Sequence, residues 1–98
     1  MKNFDYKQLD DIIHSKIRLG IMCALISGDE VEFVYLKKTL GATDGNLSVH
    51  LKKLEDAEYV LSTKSFVDRK PQTTYKLTAK GRKAFKAYLD QMEKLVEE

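Results

Sequence analysis

The stretch TDGNLSVHLKKLEDAEYV, residues 43–60, gathers an amide, a hydroxyl, an imidazole and two ammonium groups: Asn46, Ser48, His50, Lys52 and Lys53. Such groups hydrogen-bond polar edges and neutralise anions; with no paired nucleophile and base they do not make or break bonds. Leu47, Leu51 and Leu54 recur at four- and three-residue steps, the mark of an amphipathic helix docked on a core. The opposite face then carries Gly45, Asn46, Val49 and Lys53, with Lys52 beside them. Solvation alone does not call for a glycine, an amide and a valine at the start of a helix. A second basic group, Asp68, Arg69, Lys70 and Pro71, follows in FVDRKPQ.

Other chemistries are poorly served. The single cysteine, Cys23, excludes an internal disulfide, and its place in the apolar run IMCALI predicts a buried structural thiol. His14 and His50 are too far apart for a zinc spacing, so no metal is expected. The glycines are scattered rather than gathered in a phosphate loop, and no carboxylate pair or Ser/His/Asp set stands out. The chain reads as a non-enzyme with no cofactor. No apolar run approaches the roughly 20 residues that span a bilayer, and MKNFDYKQLDD lacks the order of a signal peptide, so a cytoplasmic protein without membrane contact is expected.

Charge is unevenly placed. Residues 37–83 hold eleven Lys/Arg against five Asp/Glu, whereas the two ends together hold six against ten. A basic middle between acidic ends fits one surface that meets a polyanion. The 98 residues, 43% hydrophobic, are expected to form one domain over 1–98 whose modest core makes dimerisation reasonable.

The elements that must position these groups follow from periodicity. Residues 5–13, DYKQLDDII, predict a short helix, and Ser15 caps a core helix KIRLGIMCALIS stopped by Gly28. Residues 31–33 alternate over a span fit only for an edge strand. A brief helix at 34–40 ends at Gly41, and Thr43 caps the next helix. Two helices joined by a short glycine-containing turn, here about 34–57, have helix-turn-helix spacing. Strands at 59–65 and 73–78 flank a basic turn, with Pro71 in the loop or at a strand start, giving a wing over about 59–78. A helix over 79–96 follows Thr78; its basic start and acidic end oppose the macrodipole, so those charges serve another purpose. The fold expected is α+β, mainly α: a winged helix-turn-helix with a two- to three-stranded wing sheet.

The runs LDDIIHSKIRLGIMCALISG, LKKTLGATDGNLSVHLKKLEDAEYV and DRKPQTTYKLTAKGR, in this order and separation, resemble the small winged-helix regulators of the MarR/ArsR-like superfamily. The likeness covers about residues 9–90. It implies a homodimer built through terminal helices, duplex DNA as partner in a prokaryotic nucleoid, and a recognition helix at 44–57 with Asn46, Ser48 and His50 near DNA. Two departures stand out: Glu58 occupies a place where such proteins often carry Gly, and Ser15 one where many carry Pro.

With that frame the candidate DNA residues are Thr43, Asp44, Gly45, Asn46, Ser48, Val49, His50, Lys52, Lys53, Arg69 and Lys70. Asn46 is suited to the bidentate adenine contact, or else satisfies backbone at the helix start. Val49 can meet a thymine methyl or be a bystander; His50 can pack or touch DNA. Lys52 and Lys53 suit phosphates, and Arg69 a narrow minor groove unless it is a solvated turn. Arg18 is expected to pair with Asp10 or Asp11. Phe4, Tyr6, Leu9, Phe85, Tyr88, Leu89, Met92, Leu95 and Val96 form either core or a dimer seam, and the seam is the expectation. The resulting reading is a homodimeric repressor on a palindromic operator, with any small-molecule effector unknown. The alternative is a winged helix serving as a protein-interaction module.

Overall fold

The computed structural model describes residues 6–96. A 3-10 turn at Tyr6–Gln8 precedes helix α1 (Lys16–Leu25), strand β1 (Val31–Glu32) and helices α2 (Phe33–Leu40) and α3 (Asp44–Asp56). Strands β2 (Val60–Val67) and β3 (Lys70–Leu77) and helix α4 (Ala79–Val96) complete the order. The sheet is antiparallel in the order β1-β3-β2, so the wing strands pair along their length and β1 adds only Val31 opposite Tyr75 and Glu32 opposite Thr74.

The caps expected from sequence are made. Ser15 accepts from Arg18 N and Thr43 from Asn46 N, while Gly41 takes the left-handed conformation that ends α2. The α3 terminus uses Glu58 instead of glycine, at φ 64°. Tyr59 N–H donates to Leu54 O and Glu58 N–H to Glu55 O, both at 2.9 Å, which closes the end of α3 as a Schellman motif.

Ile13, Ile21, Met22, Leu25, Leu36, Leu47, Leu51 and Leu54 are buried to about 1% exposure or less, joined by Val60, Tyr75, Leu77, Phe85 and Tyr88. Each such side chain contributes roughly 1.5–3 kcal/mol of transfer free energy, so the leucines of α3 fix which of its faces looks outward. At the start of α4, Thr78 accepts from Gly81 N at 2.9 Å and donates to Glu58 O at 2.6 Å, tying helix to wing base.

Several expectations are corrected. The short helix expected over 5–13 is not regular in its described part, residues 6–13: after the 3-10 turn, Asp10 Oδ1 accepts from Ile12 N and Ile13 N, closing a side-chain turn that competes with helix. Cys23 is exposed, because the stripe of α1 buried in the core runs through Ile21, Met22 and Leu25, leaving Cys23 and Ile26 outside. The wing loop is only Asp68–Arg69, both with positive φ, and Pro71 lies within β3 opposite Phe66. In a two-residue hairpin the Phe66–Pro71 pair does not exchange hydrogen bonds, so the missing N–H of Pro71 faces the edge that β1 does not reach.

The basic start of α4 has its other purpose. Arg82 Nη1 donates to Ile26 O at 2.9 Å, capping the end of α1. Lys80 lies 3.6 Å from the Glu58 carboxylate and over the Tyr59 ring.

Candidate nucleic-acid interface

Docking of Leu47, Leu51 and Leu54 turns the other face of α3 to solvent. Gly45, Asn46, Ser48, Val49, Lys52 and Lys53 are all exposed there, and Val49 stays 57% exposed despite its apolar chain. By the 3.6-residue turn, Gly45, Val49 and Asp56 run along the middle of this face, with Ser48 and Lys52 on one flank and Asn46, His50 and Lys53 on the other. The Asn46 amide side chain makes no hydrogen bond among the described residues, so it is not used to satisfy the helix start. Its backbone N–H does that, through Thr43.

Not every expected residue is free to reach outward. The Thr43 hydroxyl is occupied as the cap, and the Asp44 carboxylate lies 2.7 Å from Lys37 Nζ, an ion pair that ties α2 to the first turn of α3. Asp44 thus has its charge compensated within the protein, by an exposed pair. Lys52 lies 3.3 Å from Asp56 one turn on, a weak exposed pair that an anion can displace. Lys53 has no ion-pair partner among the described residues.

His50 is half-buried, and its Nδ1 lies 2.8 Å from Arg18 Nη1. Burial first, then the charges of Arg18 and Lys53, hold its pKa below the usual histidine value. Arg18 also donates through Nε to Ile12 O at 2.5 Å and through Nη2 to Asp11 O at 3.5 Å. The expected pairing of Arg18 with an Asp10 or Asp11 carboxylate is therefore corrected. Asp10 Oδ2 instead accepts from Tyr59 Oη at 2.5 Å, and Arg18 takes backbone carbonyls and the imidazole. Arg18 is the residue that sequence reasoning missed at this surface, and its 32-residue separation from His50 left no local signal.

The wing carries Lys64, Arg69 and Lys70, all exposed. Asp68 and Arg69 have φ 51° and 66°, the left-handed pair of a type I′ hairpin turn that favours Asn-Gly or Asp-Gly. An arginine there costs about 1 kcal/mol or more relative to glycine. Lys64 faces Thr73 and could have been found by counting alternate positions along β2. At the wing base Ser62 Oγ donates to Glu55 at 3.3 Å, which joins β2 to α3.

The expected seam is divided. Phe4 lies outside the described residues. Phe85 and Tyr88, at 2% and 3% exposure, are filled into the chain's own core and are removed from the seam; Tyr88 Oη is moreover 2.8 Å from His14 Nδ1. Leu9 and Met92 are half-buried against the same core, and Leu95 is half-buried. Tyr6, Leu89 and Val96 remain exposed, the last two seven residues apart on one stripe of α4. No helix among the described residues is long and apolar enough to cross a membrane.

Comparison with known proteins accords with this geometry. The family model described as a winged helix DNA-binding domain matches residues 17–96. An uncharacterized protein of Methanocaldococcus jannaschii is 45% identical over 78 residues, 80% of this chain and 85% of its own. Among solved structures, a transcriptional regulator homologue from Pyrococcus horikoshii OT3 superposes with TM-score 0.82 at 31% identity, covering 88% of this chain and 85% of that one. The transcriptional repressor BigR from Xylella fastidiosa does so with TM-score 0.63 at 27% identity over 78% and 71%. The molecule is a DNA-binding regulator and not an enzyme, and the chain belongs to the winged helix DNA-binding domain family.

Proposed function

We propose that the chain is a sequence-specific regulator that binds palindromic duplex DNA as a homodimer and represses by occupying the site. The observation that carries this reading is the outward face of α3: Asn46, Val49 and Lys53 are exposed, and no protein group among the described residues uses their side chains. A major groove accepts one helix face of this width, and the basic wing tip would meet the backbone or minor groove beside it. The exposed Leu89–Val96 stripe supports a second copy, which would set two recognition helices about one helical turn of DNA apart. The name of the Xylella relative supports repression. Such a protein works in a prokaryotic cytoplasm, at the nucleoid.

Site selection from random duplexes, repeated with variants, tests the reading. Lys53→Ala is expected to weaken all sequences alike and to reduce the log–log salt slope by roughly one. Asn46→Ala is expected to relax one base position, losing ~1–3 kcal/mol of discrimination. An unchanged selected site for Asn46→Ala removes Asn46 as a base reader, and no selected site for wild type removes the sequence-specific reading altogether.

A specific observation also favours the interaction module. Phe66 at the wing is 77% exposed, and Val34 and Val67, also exposed, line an open groove between the free edge of β3 and the start of α2. Such a patch often marks a protein contact. Failure of DNA binding together with capture of a partner lost on Phe66→Ala would put this reading first.

A further inference from the structure

From the hydrogen-bond geometry we infer that Arg18 is a positioning residue for DNA reading: it holds His50 as the tautomer with hydrogen on Nε2, so that His50 serves the interface as a donor. The inference rests on the DNA-binding reading and adds a residue from outside the helix-turn-helix to it.

A guanidinium has donors and no acceptor, so a contact of 2.8 Å between Arg18 Nη1 and His50 Nδ1 is a hydrogen bond only when Nδ1 carries a lone pair. The neutral ring then has its proton on Nε2. Arg18 is not free to swing away and release the ring. Its Nε is fixed on Ile12 O at 2.5 Å and its Nη2 reaches Asp11 O at 3.5 Å, so one planar group spans the loop before α1 and the recognition helix. That loop is itself anchored: Asp10 accepts from Ile12 N, Ile13 N and the Tyr59 hydroxyl. A doubly protonated His50 would set a second cation against Arg18, with Lys53 also close, and the lowered pKa has this origin after burial. At neutral pH the ring remains a donor at Nε2 and an acceptor to Arg18.

The place of His50 on α3 gives the donor a use. Asn46, His50 and Lys53 stand at four- and three-residue steps along one flank of the outward face, a continuous stripe. With Nε2–H fixed, each member can donate, and the acceptors they suit are phosphate oxygens and the N7 and O6 atoms of guanine. The opposite tautomer would present an acceptor lone pair to a polyanion. Arg18 removes that choice before DNA arrives, so no binding free energy is lost to selecting it.

The two imidazole-sized amides separate the roles. In His50→Asn the carbonyl lies near the Nδ1 place and can keep the Arg18 bond, while the outer donor is lost. In His50→Gln the amide nitrogen lies near the Nε2 place. The wild-type imidazole nitrogens are first read by long-range 1H–15N NMR in the free protein at neutral pH, where Nε2–H is expected. Arg18→Met is expected to turn this into a mixture, and Arg18→Lys to restore it only in part, with melting temperatures checking that each variant folds. On duplex DNA, His50→Asn and His50→Ala are expected to lose affinity by about tenfold, and His50→Gln to stay close to wild type.

A free protein with His50 protonated on Nδ1, or on both nitrogens, overturns the inference. So does folded His50→Asn that binds as wild type while His50→Gln does not, since then His50 matters only as the partner of Arg18. Wild-type protein that binds no duplex at all fails in a distinguishable way: it sinks the DNA reading and the donor role with it, whatever the NMR shows.

Discussion

Gly81 lies against the backbone of Tyr59, so close that a Cβ on Gly81 would sit 2.8 Å from the Tyr59 carbonyl carbon and 2.9 Å from its Cα. The approach is enforced by Thr78, whose N–H donates to Tyr59 O at 3.0 Å while its hydroxyl joins Glu58 O to Gly81 N. Backbone, not a flexible side chain, fills the space, so a methyl group there has nothing to push aside. Gly81→Ala is expected to cost about 2–3 kcal/mol and to lower Tm by on the order of 10 °C, read by thermal circular dichroism. An unchanged Tm would show that the junction of wing and α4 yields.

Glu58 makes the opposite case. Its φ of 64° belongs to glycine, yet its carboxylate makes only an exposed contact with Lys80 at 3.6 Å. Glu58→Gly removes left-handed strain of roughly 1 kcal/mol and loses an ion pair worth less. The variant is expected to unfold at higher denaturant with the same m-value. A lower midpoint would mean that the Lys80 contact outweighs the strain.

Periodicity made α1, α3 and the wing strands legible, because the leucine steps of α3 and the alternation around Tyr75 and Leu77 each have one structural solution. The caps at Ser15, Thr43 and Gly41 were legible for the same local reason. What could not be read was long-range pairing. Arg18 meets His50 across 32 residues, and Asp10 meets Tyr59 across 49, where spacing carries no information. Phe85 and Tyr88 share their stripe period with the exposed Leu89 and Val96, and pattern alone does not say which side of a terminal helix the chain itself covers. Proline and a run of charges made the wing turn look longer than the two residues that form it.

Tyr59 links pH to stability. Burial, then the hydrogen bond to Asp10 and its charge, push the phenol up to about 12 from an ordinary value of 10.0. The folded state therefore keeps a proton that the unfolded state gives up. Its contribution is fully present below pH 10 and is lost as pH rises through 12. Burial raises Tyr75 and Tyr88 in the same direction. Urea midpoints across this range are expected to fall more steeply for wild type than for Tyr59→Phe. Parallel curves would remove Tyr59 from the alkaline transition.

The division of the α4 stripe predicts two different failures. Leu89→Asp places a charge on an exposed surface of the monomer, so the chain is expected to fold, to sediment as a monomer and to lose DNA affinity with its second half-site. Phe85→Asp places the charge in the core, at a site 2% exposed, and is expected to prevent folding. A Leu89→Asp protein that remains dimeric would put the seam elsewhere, with the exposed Cys23–Ile26 side of α1 the next surface to vary.

Arg69 sets stability against binding at one residue. A type I′ turn with Asp68 first favours glycine second, so Arg69→Gly is expected to stabilise the hairpin by about 1 kcal/mol. A strained residue at an exposed tip, held where a better turn former exists, points to a use for its side chain. In the minor groove of A·T-rich flanks a guanidinium meets deep negative potential. Arg69→Gly should therefore melt higher, lose affinity, lower the salt slope by roughly one and flatten any preference for A·T-rich flanks. Lys70→Ala, beside it on β3, should lower affinity with little change in flank preference. The measurement is site selection from randomised flanks at one salt concentration, with Tm recorded for the same three proteins. A more stable Arg69→Gly protein with wild-type affinity and flanks would make the strained arginine idle on DNA. The exposed Phe66 and Val67 would then be the reason the wing extends, and a protein partner its target.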